Sequence, residues 1–158
     1  NGSLTYSLRC SSISGLSLGR PSQLAQAEWL AADIAAGLPH VFASTSEQFI
    51  PQMLNVDLID GVSYTKGCYA GQEIVARTHH LGRVKRRTLR FHLPAGGAAP
   101  APLSHLLLEG VKAADVLMTA ETDDGIELLA VTNLDAAGKV LQLEDGRSAE
   151  PRALPYGV

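Results

Sequence analysis

Eight consecutive residues, Lys66-Gly67-Cys68-Tyr69-Ala70-Gly71-Gln72-Glu73, gather a thiol, a cation, a phenol, an amide and a carboxylate into one short segment. A cysteine reacts as its thiolate, and a nearby cation or a helix N-terminus favours that form. Lys66 lies two residues before Cys68. A helix beginning near Gly71 would point its first N–H groups toward the segment. Gly67 and Gly71 would permit backbone angles and close approaches denied to other residues. Cys68 is therefore a candidate reactive or ligand-binding thiol. The same residue types also suit a buried cysteine that acts as a small hydrophobe. Gln72 and Glu73 fit a polar ligand and, equally, the backbone groups of a first helical turn. The other cysteine, Cys10, sits in a strand-like stretch and reads as a packing residue.

A basic run accompanies this segment. Lys66, Arg77, Arg83, Lys85, Arg86, Arg87 and Arg90 are over half of the 13 lysines and arginines. They predict either a cationic face able to receive phosphates or carboxylates, or an edge strand guarded by charge. His79 and His80 are adjacent, so they point in different directions, whereas histidine ligands on a helix usually sit three or four residues apart. His40, His92 and His105 are isolated, and no metal site is expected.

The elements that position these residues can be read from pattern. LTYSLRCSSISGLSLG, residues 4–19, reads as one or two strands broken at Ser14-Gly15. Leu24, Ala27, Ala31 and Ile34 recur at helical spacing, with Leu30 beside them. Ser22 offers an N-cap, Gly37 a left-handed terminus and Pro39 a stop. A helix is predicted over residues 22–36. From Pro39 to Thr65 the chain reads as an ordered, winding connection in which Phe42, Phe49, Ile50, Met53 and Leu54 require burial. QEIVART predicts one or two helical turns.

Leu89, Phe91 and Leu93 alternate with Arg90 and His92, the pattern of a strand with one buried face. PAGGAAPAP, residues 94–102, is a loop or hairpin tip. Asp123-Asp124-Gly125 between VLMTAE and IELLAVT signals a hairpin, and Asp145-Gly146 marks a second turn. The expected class is α+β: a helix-bearing first part, then a small β-barrel from about Thr88.

With 158 residues the chain can bury about 70% of its unfolded surface, so it needs neither disulfide nor metal to fold. A net charge of −3 argues against a dedicated nucleic-acid domain. Two distant cysteines suit a reducing compartment. No apolar run reaches the roughly 18 residues of a membrane span. No signal peptide is expected, and the expected location is the cytoplasm.

Lys66-Gly67-Cys68-Tyr69-x-Gly71-Gln72-Glu73 resembles the K-G-C-[FY]-x-G-Q-E motif of the YgfZ family. WLAADIAAGLP (29–39), EQFIPQMLN (47–55), GVSYTKGCYAGQEIVAR (61–77) and GRVKRRTL (82–89) extend the resemblance over most of residues 29–91. Members of that family resemble the glycine-cleavage T-protein, a tetrahydrofolate-dependent aminomethyltransferase. The resemblance implies a ring of domains around a folate-binding channel, ending in a β-barrel. Residues 1–87 would then be the C-terminal part of the T-protein-like folate-binding domain, and residues 88–158 the barrel. It further implies that Cys68 is the functional thiol. Lys66, Gly67, Tyr69, Gly71, Gln72, Glu73 and Arg77 become the cofactor-binding motif, with tetrahydrofolate as cofactor.

Family members are about twice this length, so an N-terminal half that supplies much of the folate pocket is expected to precede Asn1. Ala35 stands where T-protein relatives often carry a pterin-contacting glutamate, which favours the YgfZ reading over methyl transfer. The function implied is that of an accessory protein, rather than a conventional enzyme, for assembly or repair of iron–sulfur clusters. It would support iron–sulfur enzymes that include tRNA-modifying ones, and its partners would be folate and iron–sulfur proteins or their assembly factors. Direct nucleic-acid binding is not expected on this reading. The alternatives are an aminomethyltransferase-like one-carbon transferase and a module whose basic strand binds RNA or an acidic partner. Only the first reading requires a cysteine in this loop.

Overall fold

The computed structural model describes residues 23–158. The strand reading of residues 4–19, and Cys10 with it, lies outside the described residues. Helix α1, Gln23–Ala36, matches the predicted helix. It ends as Gly37 foretells: Gly37 adopts φ 69°, its N–H donates to Ile34 O, and the Leu38 N–H reaches back to Asp33 O, the paired bonds of a Schellman terminus. The Tyr156 hydroxyl donates to Gly37 O at 2.6 Å. The last residues of the chain thereby lock the end of its first described helix.

Residues 38–71 form a succession of turns. Phe49, Ile50 and Met53 are partly buried there and Leu54 is buried, but Phe42 remains 37% exposed, against the expectation that it packs. Helix α2, Gln72–Leu81, has ten residues, longer than the one or two turns predicted. Thr78, a weak helix former, has its hydroxyl satisfied by Ile74 O at 2.9 Å, and Val75 is buried on the inner face.

Six strands follow: β1 (Arg86–Pro94), β2 (His105–Leu108), β3 (Val111–Thr122), β4 (Gly125–Asn133), β5 (Leu141–Leu143) and β6 (Ser148–Arg152). They close into an antiparallel barrel in the order β1-β4-β3-β2-β5-β6, with β6 pairing back onto β1. Closure removes the exposed edge that a six-stranded open sheet would leave. The residue 94–102 loop joins β1 to β2, which are not barrel neighbours, so it is a crossing loop and not a hairpin tip. Arg147 staples it, donating to Gly96 O and Ala98 O. The β3–β4 turn is Asp123-Asp124, closed by Gly125 at φ 144°. A Cβ there would stand 2.2 Å from Leu93 O, so only glycine fits.

Alternation along β3 and β4 builds two cores. Val116, Leu128 and Ala130 point into the barrel with Phe91, Leu93, Leu106 and Leu141. Leu117, Leu129 and Val131 point outward and are covered by Ile34 of α1 and by Leu54, with Phe49 and Met53 beside them. Both faces of β4 are therefore apolar, and IELLAVT reads as a continuous run because neither face meets water.

One acid is held inside this wall. Asp115 on β3 is 6% exposed and accepts from Arg86, from Lys112 at 2.8 Å and from His105 Nδ1 at 3.0 Å. Burial pushes its carboxyl up, but the bonds and charges of Lys112 and Arg86 outweigh burial and hold it below its ordinary 3.8. The unfolded chain binds this proton more tightly than the folded one. The stabilisation is thus fully present above about pH 4 and disappears as pH falls through the lower folded value. Asp115→Asn should lower the melting temperature at neutral pH and flatten the acid limb of a melting-temperature-against-pH curve. Identical acid limbs in parent and variant would contradict this assignment.

Candidate functional site

The Lys66–Glu73 segment leads directly into α2. Gly71 is the N-cap residue, at φ 83° and ψ −3°, a left-handed conformation that a Cβ would strain. Its role matches the expectation. Gly67 differs: its φ is not positive, and a Cβ there would meet nothing within 4 Å. Gly67 therefore provides neither a strained turn nor a close approach within the described residues.

Cys68 is exposed and lies three residues before Gly71, in the approach to the N-terminus of α2. Among the described residues the thiol is not packed as a small hydrophobe. Glu73 occupies the first turn of α2 and is exposed, where its charge complements the helix dipole. No side chain caps the helix. Arg77 is exposed one turn further on, and Gln72 is half-buried.

Lys66 and Tyr69 come together. The Lys66 ammonium lies 5.7 Å from the centre of the Tyr69 ring, and both line a cleft of about 360 Å³. Its floor is apolar, built from Phe49, Leu54, Val56 and Val75. Among the described residues Lys66 makes no ion pair. Cys68, Gly67, Gly71, Gln72, Glu73 and Arg77 do not line this cleft.

The basic run separates into two sets. Arg86, Arg87 and Arg90 are held by Asp115, Asp57 and Glu127, and so are committed to the fold. The strand itself is consequently not a free cationic face. Arg77, Arg83 and Lys85, on α2 and the connection to β1, are exposed and form no ion pair among the described residues. The run also explains how the site is fixed. Arg87 holds Asp57 through two bonds of 2.8 and 3.0 Å and also donates to Gln52 O. Asn55 Nδ2 donates to Thr88 O and Thr88 Oγ1 to Met53 O. The first residues of β1 thereby clamp the turns that line the cleft.

The chain is 39% identical over 141 residues to the tRNA-modifying protein YgfZ of Yersinia pestis (strain Pestoides F), an alignment that covers 83% of this chain and 42% of that protein. The YgfZ of Yersinia pseudotuberculosis serotype O:1b (strain IP 31758) matches to the same extent. That of Sodalis glossinidius (strain morsitans) is 38% identical over 142 residues, with the same coverage. The chain belongs to the YgfZ family. It spans less than half the length of these relatives. No family model matches it.

Three polar residues of this YgfZ-family chain were not evident as site residues from the sequence: Gln52, Asp57 and Tyr64. Gln52 is 1% exposed, and its Nε2 donates to Val75 O at 2.7 Å, tying α2 to the preceding turns. Tyr64 stacks on His79 with ring centres 3.9 Å apart. Burial, then the charge of Asp57, push its phenol above the ordinary 10.0. No group of three or more potential metal ligands occurs among the described residues. None of the described helices is long and apolar enough to cross a membrane.

Proposed function

We propose that this chain is the C-terminal portion of a tetrahydrofolate-dependent accessory protein for assembly or repair of iron–sulfur clusters. In that role it supports iron–sulfur enzymes, those that modify tRNA among them, in the cytoplasm. The observation that carries this reading is the pairing of an exposed cysteine with a cleft that suits folate, in a chain similar to proteins named for tRNA modification.

The cleft residues fit the cofactor's chemistry. Folate combines flat aromatic groups with a carboxylate tail. The apolar floor of Phe49, Leu54, Val56 and Val75 would exclude water from a flat ring. Tyr69 offers a ring face, and Lys66 a cation for a carboxylate. The rest of the full-length protein would complete the pocket. When bound, tetrahydrofolate supplies a carrier for one-carbon units. Cys68, outside the cleft and exposed among the described residues, would meet a partner protein or its cluster. An aminomethyltransferase would have no use for a thiol at that position.

Titration of the full-length protein with tetrahydrofolate tests this reading. Saturable binding is expected, and Lys66→Ala should weaken it about tenfold, the effect of one charge-assisted contact. Absence of saturable binding by the parent protein would remove folate from the proposal. Binding that Lys66→Ala leaves unchanged would move the cofactor away from this cleft.

A further inference from the structure

A second cleft, of about 370 Å³, lies between α2 and the turns before it and shares no lining residue with the first. Gln52, Asp57, His79, Arg83 and Arg87 line it. Gln52 is almost fully buried, its Nε2 is occupied by Val75 O and its main-chain oxygen by Arg87. Its Oε1 has no partner. The amide cannot be turned over to correct this, because Oε1 would then face the Val75 carbonyl. The nearest donor is the Tyr64 hydroxyl beside the amide, itself buried, and it makes no bond of good geometry there, so the cleft holds a buried acceptor that is incompletely satisfied.

The walls carry two further features. His79 is exposed and stacks on Tyr64, so one wall begins a two-ring aromatic stack. Arg87 is neutralised by both oxygens of Asp57, whereas Arg83 is exposed and makes no ion pair among the described residues. The free cation of the cleft is thus at Arg83. A fitting ligand needs an N–H donor for Gln52, a flat ring to extend the stack and an anionic group for Arg83.

We propose that this cleft binds a nucleotide, with an N–H of the base donated to Gln52 Oε1, the base against the Tyr64–His79 stack and the phosphate on Arg83. Base-on-aromatic stacking tolerates any base, and arginine suits a phosphate through its paired donors. A free nucleoside monophosphate and an unpaired nucleotide within RNA present the same chemistry. One nucleotide at one cleft does not require the broad basic surface that the net charge of −3 argues against.

Full-length protein should be titrated with uridine 5′-monophosphate, with its N3-methyl derivative, with uridine and with a short single-stranded oligouridylate. The monophosphate should bind saturably. N3-methylation, which removes the N–H donor, and Arg83→Ala, which alters an exposed residue and should leave folding intact, should each weaken it about tenfold. Arg83→Ala should leave uridine binding unchanged. Tighter binding of the oligomer that keeps the same Arg83 dependence would support an RNA-borne nucleotide; equal binding would support a free one. No saturable binding of either probe would overturn the proposal. So would binding indifferent both to methylation and to Arg83→Ala, since that is the behaviour of non-specific attraction to exposed cations.

Discussion

Full-length protein carrying Cys68→Ser should melt within about 1 °C of the parent and fail to restore iron–sulfur enzyme activity in cells that lack the protein. The expectation follows from exposure. Cys68 is solvent-exposed in the approach to α2, and serine nearly preserves its volume, so little packing is lost. A surface substitution of this kind usually changes stability by less than about 0.5 kcal/mol. What is lost is the thiolate, which as nucleophile or metal ligand has no equivalent in a hydroxyl at neutral pH. Enzyme activity in the complemented cells should therefore fall to the level of the empty strain. Full rescue by Cys68→Ser would show that the thiol is dispensable and would sink its assignment. A large fall in melting temperature would instead return Cys68 to a packing role.

Arg87→Ala should destabilise the protein by about 3 kcal/mol, because it leaves Asp57 without its partner in a largely buried place. Both side chains are only 14% and 13% exposed, and their contact is bidentate. In a domain of this size that amounts to a fall of about 10 °C in melting temperature. Arg87 also donates to Gln52 O, so the turns that line both clefts lose their clamp to β1. Asp57→Ala should cost a similar amount. The double variant should lose less than the sum of the two, since the first change already breaks the pair. Denaturant unfolding of the three variants measures this. Single-variant losses below about 0.5 kcal/mol, the range of ordinary surface changes, would mean that Arg87 and Asp57 do not hold the turns to the barrel.

Local chemistry made several features legible. The spacing of Leu30, Ala31 and Ile34 with Gly37 and Pro39 determined α1 and its end, because helical period and terminal glycine act within a few residues. Alternation of Phe91 and Leu93 with Arg90 and His92 marked β1, and Asp123-Asp124-Gly125 marked the β3–β4 hairpin. The density of chemistry in residues 66–73 singled out that segment. By contrast, β2 was not legible: Leu106-Leu107-Leu108 is a short apolar run without period, and its pairing with β3 and β5 is non-local.

The sequence by itself therefore determined the helix, the main hairpin, the barrel class and the thiol-bearing segment. The tertiary structure alone decided which of those residues meet. It placed Lys66 with Tyr69 over an apolar floor and left Cys68 outside in solvent. It converted three of the seven cations of the basic run into internal ion pairs by bringing Asp57, Asp115 and Glu127, 29 to 37 residues away, against Arg86, Arg87 and Arg90. It also buried Gln52 between α2 and β1, which no pattern along the chain announces. The physical reason is that periodicity and turn chemistry are local, whereas burial and charge pairing depend on which distant segments the closed barrel brings together.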